Sequence, residues 1–236
     1  MSYLDAGNPL AVENAAPSVR ADFIRKVYIH LAIGILLFAG LEALYLQMGF
    51  GAIAMKLISV HQFAWLGVLL VYGVASYFMS KWAHTAITKE QQYLAFFGGV
   101  FIESLIFLPM ISLAVFHAPD VLQYAVVATL ALVAGLTMTV VITGKSFHFL
   151  KPVLMIVGFV ALGLIVASIL FGFQLGLWFS AIMIVFASAA ILYETNKVFK
   201  EYSEHQYIGA ALTLFASVGL LFWYVLQVGL SFVGED

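Results

Sequence analysis

Three carboxylic acids sit inside otherwise apolar stretches of this 236-residue chain: Glu42, Glu103 and Glu194. A charge at mid-membrane depth costs at least about 2.5–3.5 kcal/mol, so such an acid must face protein or water, where it can bind or relay a cation or a proton. Glu103 lies in FFGGVFIESLIFLPM (96–110). Pro109 removes a backbone donor and frees the carbonyl of Leu105. Gly98 and Gly99 let a neighbouring backbone come close. This is either part of an ion or proton path or a hydrogen-bonded acid that only helps packing. Glu194 lies in FASAAILYETNKVF (186–199), just after the small residues Ala187 to Ala190. Two readings stand: a carboxyl in a protein-lined inner vestibule, or a carboxylate paired with Lys197 or Lys200. Glu42, near the outer end of its stretch, is expected to reach the interface. His30 is expected to be interfacial or hydrogen-bonded.

Enzymatic chemistry finds no support. The six histidines (30, 61, 84, 117, 148 and 205) never pair at i, i+3 or i, i+4, and there is no HExxH. No GxSxG, phosphate loop or dinucleotide loop is present. The chain has no cysteine, which excludes thiol catalysis, disulfides and Cys-ligated metals. The expectation is a protein that is not an enzyme and carries no cofactor.

The elements that position these acids are set by composition. Apolar residues make up 64% and charged residues 9%, and mean hydropathy is +1.07. A soluble domain carries about 25% charged residues, so the expected solvent is the lipid bilayer. Seven stretches are long enough to span it as helices: about Val27–Leu46, Phe63–Met79, Tyr93–Phe116, Val121–Thr143, Pro152–Phe173, Leu177–Tyr193 and Ile208–Val233. The predicted fold class is an all-α integral membrane protein of seven transmembrane helices, residues 23–236, after a cytoplasmic tail of residues 1–22. Arg20, Arg25, Lys26, Lys81, Lys89, Lys145, Lys151, Lys197 and Lys200 fall on one side and Lys56 alone on the other. That asymmetry puts the N-terminus in the cytoplasm. Trp65 and Trp178 fall near the outer boundary and Trp82 near the inner one. A net charge of −2 gives no footprint for nucleic acid. The tail, without an apolar core, reads as a frayed end or as a handle for a cytoplasmic partner.

The stretch from ILYET (191–195) to YIGAALTLF (207–215) resembles the Bax inhibitor-1 (transmembrane Bax inhibitor motif) family. Supporting matches are FIRKVY (23–28), the Gly-Gly and Pro109 pattern of span three, and TGKSF (143–147). The resemblance implies a central seventh helix surrounded by six, and a pH-sensitive leak of calcium or protons. It further implies a sensor of two facing acids, one on span six and one on span seven. Two close carboxyls share a proton because both cannot ionise cheaply. Here the first acid is Glu194, but the second falls on Ser217, so the dyad is incomplete. The sensing residues the resemblance implies are Glu194 and Ser217, with Glu103 as the further oxygen ligand in reach of an ion path. The Glu/Ser combination is similar to the bacterial YccA-like branch, which implies a multi-pass protein of the bacterial inner membrane. That branch also implies an alternative: a non-transporting modulator of a membrane-anchored FtsH-type protease or of membrane-protein quality control.

Overall fold

Pro17 opens the first helix, where its missing N–H leaves no bond unmade. Gly172 closes the sixth in the left-handed region at φ +71°, a conformation glycine adopts freely. The computed structural model describes residues 11–59, 63–85 and 88–233. Its helices are α1 (Pro17–Gln47), α2 (Phe50–Ser59), α3 (Ala64–Thr85), α4 (Lys89–His117), α5 (Pro119–Thr143), α6 (Leu150–Phe171), α7 (Gly176–Lys200) and α8 (Tyr207–Val233). Among the described residues there is no strand, only one antiparallel bridge between Ala11 and Ser203. His61 and the first ten residues of the predicted tail lie outside the described residues.

All helices but α2 are long and apolar enough to cross a membrane, and they follow the seven expected spans in order. Their ends differ for local reasons. α1 begins at Pro17 rather than Val27, inside the segment read as tail. Asp22 pairs with Arg25 at 2.7 Å and with Lys26 at 2.6 Å, and these spacings support helix beyond the apolar run. α2 is an addition to the predicted pattern. Phe50, Ile53 and Leu57 form an exposed apolar stripe on it, as on a helix lying in a membrane interface. Its Gly51 packs so closely on α4 that an added Cβ would come 2.5 Å from Ser112 Oγ.

α4 and α8 are the most enclosed helices. α8 packs on α1, α3, α4, α5 and α7. The predicted ring of six is uneven: α6 stands further out against α7, with Ala161 as its lone buried residue. α6 is also the most apolar span, so lipid solvates most of its surface without penalty. The core holds Phe96, Val100, Ile191, Ile208, Leu214 and Leu221. Helices in lipid gain little from hydrophobic burial, so they associate through close backbone approach. α8 provides this with Gly209, Ala210 and Ala211, all buried.

Loop contacts gather the basic residues at one end. Lys200 Nζ donates to the Gly144 carbonyl at 2.9 Å, and Lys89 Nζ donates to the His205 carbonyl at 2.8 Å. The residues just before α1 join them. Val12 is fully buried, and its N–H donates to the Tyr202 carbonyl at 2.8 Å. The frayed-end reading therefore does not hold from Ala11 onward; a main-chain bridge and a buried valine pin that segment to the turn between α7 and α8.

A Cβ at Gly209 would meet the His84 ring at 2.9 Å and the Ala83 carbonyl at 3.1 Å. Gly209→Val is therefore expected to destabilise the bundle by about 1–3 kcal/mol through overpacking. A lowered unfolding temperature in detergent, with Val→Ala at exposed Val160 as the neutral control, checks this.

Candidate functional site

The last turn of α7 places Glu194 and Lys197 on one face, three residues apart. Lys197 Nζ donates to Glu194 Oε2 at 3.0 Å and to Oε1 at 3.3 Å. The chain then leaves the helix, and Tyr202 returns its phenol to Glu194 Oε2, donating at 3.4 Å. The carboxylate is largely enclosed, with 13% of its side chain exposed, against 21% for Lys197. The ammonium also lies 5.0 Å from the Tyr202 ring centre and 5.4 Å from that of Tyr193, within range of cation–π attraction.

Tyr202 is the hinge of this cluster. Burial pushes its phenol up to about 12, and the neighbouring Glu194 carboxylate adds to the shift. It therefore remains a donor at any physiological pH. Its ring stacks on His84 of α3 with centres 5.7 Å apart. His84 Nδ1 lies 2.8 Å from the Ser80 carbonyl, which can only accept, so Nδ1 carries the proton. Nε2 then faces the Thr213 hydroxyl of α8 at 3.4 Å. Glu194 is thus linked through one tyrosine to α3 and α8, and through the Tyr202 carbonyl to Val12. Sequence spacing exposes the Glu194–Lys197 pair but not Tyr202 or His84, which arrive from separate elements. Asn196 was missed as well: it is fully buried and both of its side-chain polar atoms lack a hydrogen-bond partner.

The other predicted site residues lie elsewhere. Ser217 donates to the Thr213 carbonyl one turn back, at 3.1 Å, and no hydrogen bond joins it to Glu194 among the described residues. Glu103 is buried in α4, where its Oε2 accepts from Tyr72 of α3 at 3.0 Å. A cavity of about 150 Å³ is lined by Glu103 but by neither Glu194 nor Ser217. Among the described residues no three acids or histidines converge on a point that could hold a metal ion. His30 is hydrogen-bonded, with Nδ1 donating to the Lys26 carbonyl at 2.7 Å and Nε2 lying 3.0 Å from the Tyr93 hydroxyl.

Glu42 corrects the prediction for it. It does not reach an interface: it is 3% exposed, and neither carboxyl oxygen has a hydrogen-bond partner. α2 folds back over this end of α1. An added Cβ on Gly51 would lie 3.1 Å from Leu46, and the Phe50 and Tyr45 rings sit 6.3 Å apart.

Removing one partner of an enclosed ion pair leaves the other uncompensated, at a cost of about 1–3 kcal/mol. Lys197→Met is expected to lose stability in that range, and adding Glu194→Gln to it should recover most of the loss. Chemical unfolding of the single and double variants in detergent checks both steps.

Comparison with known proteins agrees with this architecture. The chain is 33% identical over 120 residues to a Pseudomonas aeruginosa protein, the uncharacterized protein PA2604, a match covering 50% of this chain and 53% of that one. The chain thus spans about half the length of that curated relative. The model of the family described as Inhibitor of apoptosis-promoting Bax1 matches residues 20–232, from the start of α1 to the end of α8. This multi-pass membrane protein belongs to the Bax inhibitor-1 family.

Proposed function

We propose that this chain is a pH-sensitive leak pathway for a cation, calcium or protons, with its gate at Glu194. The observation that carries the reading is the enclosed Glu194 carboxylate, held by Lys197 and Tyr202 where α3, α7, α8 and the segment before α1 meet. The charged and titratable groups around it are Lys197, Tyr202 and Tyr193, with His84 behind Tyr202. Neutralising the Glu194 carboxylate removes the attraction for Lys197 and weakens the Tyr202 bond. The turn after α7 then loses its inner anchor, and the basic end can loosen. Flux should accordingly rise when that carboxylate is neutralised.

In liposomes, calcium and proton flux measured between about pH 6 and 8 is expected to change with pH. Glu194→Gln, a mimic of the protonated acid, is expected to raise flux at neutral pH and flatten the profile. Flux that is absent at every pH, or indifferent to Glu194, overturns the leak.

A second reading is regulatory: a non-transporting modulator of a membrane-anchored FtsH-type protease or of membrane-protein quality control. The anchored Ala11–Val12 bridge motivates it, because a partner gripping the residues before Ala11 would pull directly on the Tyr202 turn. Co-purification from bacterial inner membranes, the setting we infer, should enrich such a protease with the whole chain and lose it when residues 1–10 are deleted. Equal recovery from both chains sinks the regulatory reading.

A further inference from the structure

Glu103 is buried at the base of a crevice in the side of the bundle. α1 and α5 both pack on α8 but barely meet each other, with Tyr28 and Thr137 hydroxyls 3.5 Å apart near the basic end. The gap between them forms the crevice of about 150 Å³. Ala39 on α1 and Val126 and Leu130 on α5 form its exposed lip, on the face that lipid covers. Gly219 of α8 forms part of the floor. The missing side chain matters there: a Cβ on Gly219 would come 2.5 Å from Glu103 Oε1.

The polar groups of this apolar slot are incompletely answered. Glu103 is 5% exposed, has the Tyr72 hydroxyl as donor, and has no cation within ion-pair distance among the described residues. Thr129 also lines the crevice, and its hydroxyl is buried without a hydrogen-bond partner. Glu42, with both oxygens unpartnered, follows Phe38 and Ala39 one turn along the same face of α1. Acids and a hydroxyl beside an apolar slot lack one complement, a cationic donor. An ammonium brings three N–H donors and no acceptor. A dry apolar cavity of about this size takes up a molecule as large as benzene.

We propose that the crevice between α1 and α5 is a binding site for lipophilic amines entering from the bilayer, with the hydrocarbon in the slot and the ammonium on Glu103. The site is independent of Glu194 and of any leak. A membrane-partitioning reagent, dicyclohexylcarbodiimide, tests it on the whole chain in liposomes. The Glu103 carboxyl oxygen adds to the central carbon of the reagent, its proton passes to a reagent nitrogen, and the adduct rearranges to a stable N-acylurea with nothing lost.

Peptide mass spectrometry is expected to find the adduct on Glu103, and to find none there with a water-soluble carbodiimide. Dodecylamine at ten times its dissociation constant should cut labelling roughly tenfold by mass action, and dodecanol should not. Leu130→Trp and Ala39→Phe, which fill the slot from opposite walls, should each reduce labelling. If one of them fails to fold, as read by size-exclusion chromatography, the other decides. An unlabelled Glu103, equal protection by dodecanol, or labelling unchanged by a folded wall variant overturns the proposal.

Discussion

A polar group at membrane depth has no water to fall back on, so the protein itself must answer it. The three acids of this bundle answer that constraint to three different degrees. Glu194 has a full cation and a phenol. Glu103 has one hydroxyl and an open slot beside it. Glu42 has no hydrogen-bond partner among the described residues. The gradient runs from the basic end toward the opposite one, and it separates their roles.

The cluster around Glu194 depends on α8 being bare at its start. Gly209 lets the His84 ring and the end of α3 lie directly on the start of α8. That contact sets His84 under Tyr202, and Tyr202 over Glu194. Gly219 performs the same service deeper in the bundle, where Glu103 lies against the helix backbone. Small residues on the central helix therefore determine where the acids can sit as well as how closely the helices pack.

Much of this was legible in the sequence, for identifiable reasons. Span number and order followed from apolar run length, and the common end of the basic residues followed from their alternation between loops. The spacing of Glu194 and Lys197 made their pairing one of two open readings, because residues three apart on a helix are neighbours. Which face each span turns inward was not legible. A helix apolar all round has no stripe to read, since lipid and protein solvate leucine alike. For that reason the crevice, Tyr202 against His84, and the burial of Glu42 emerge only from the packing. α2 was obscured by Lys56 and by its short length, and the docking of Val12 by a polar, proline-bearing context that resembles a loose end.

With Ser217 where the resemblance implies a second acid, the electrostatics around Glu194 change sign. In a pair of facing carboxyls the shared proton is the glue, and losing it drives two helices apart by like-charge repulsion. Ser217 cannot take part, and it is occupied with the Thr213 carbonyl. The partner of Glu194 is instead Lys197, on its own helix. Here opposite charges attract across the pair, where two acids would repel. The pair also does not join two helices; its reach across the bundle runs through Tyr202, which touches α3 and the segment before α1. What the pair holds in place is therefore one turn rather than the separation of two spans.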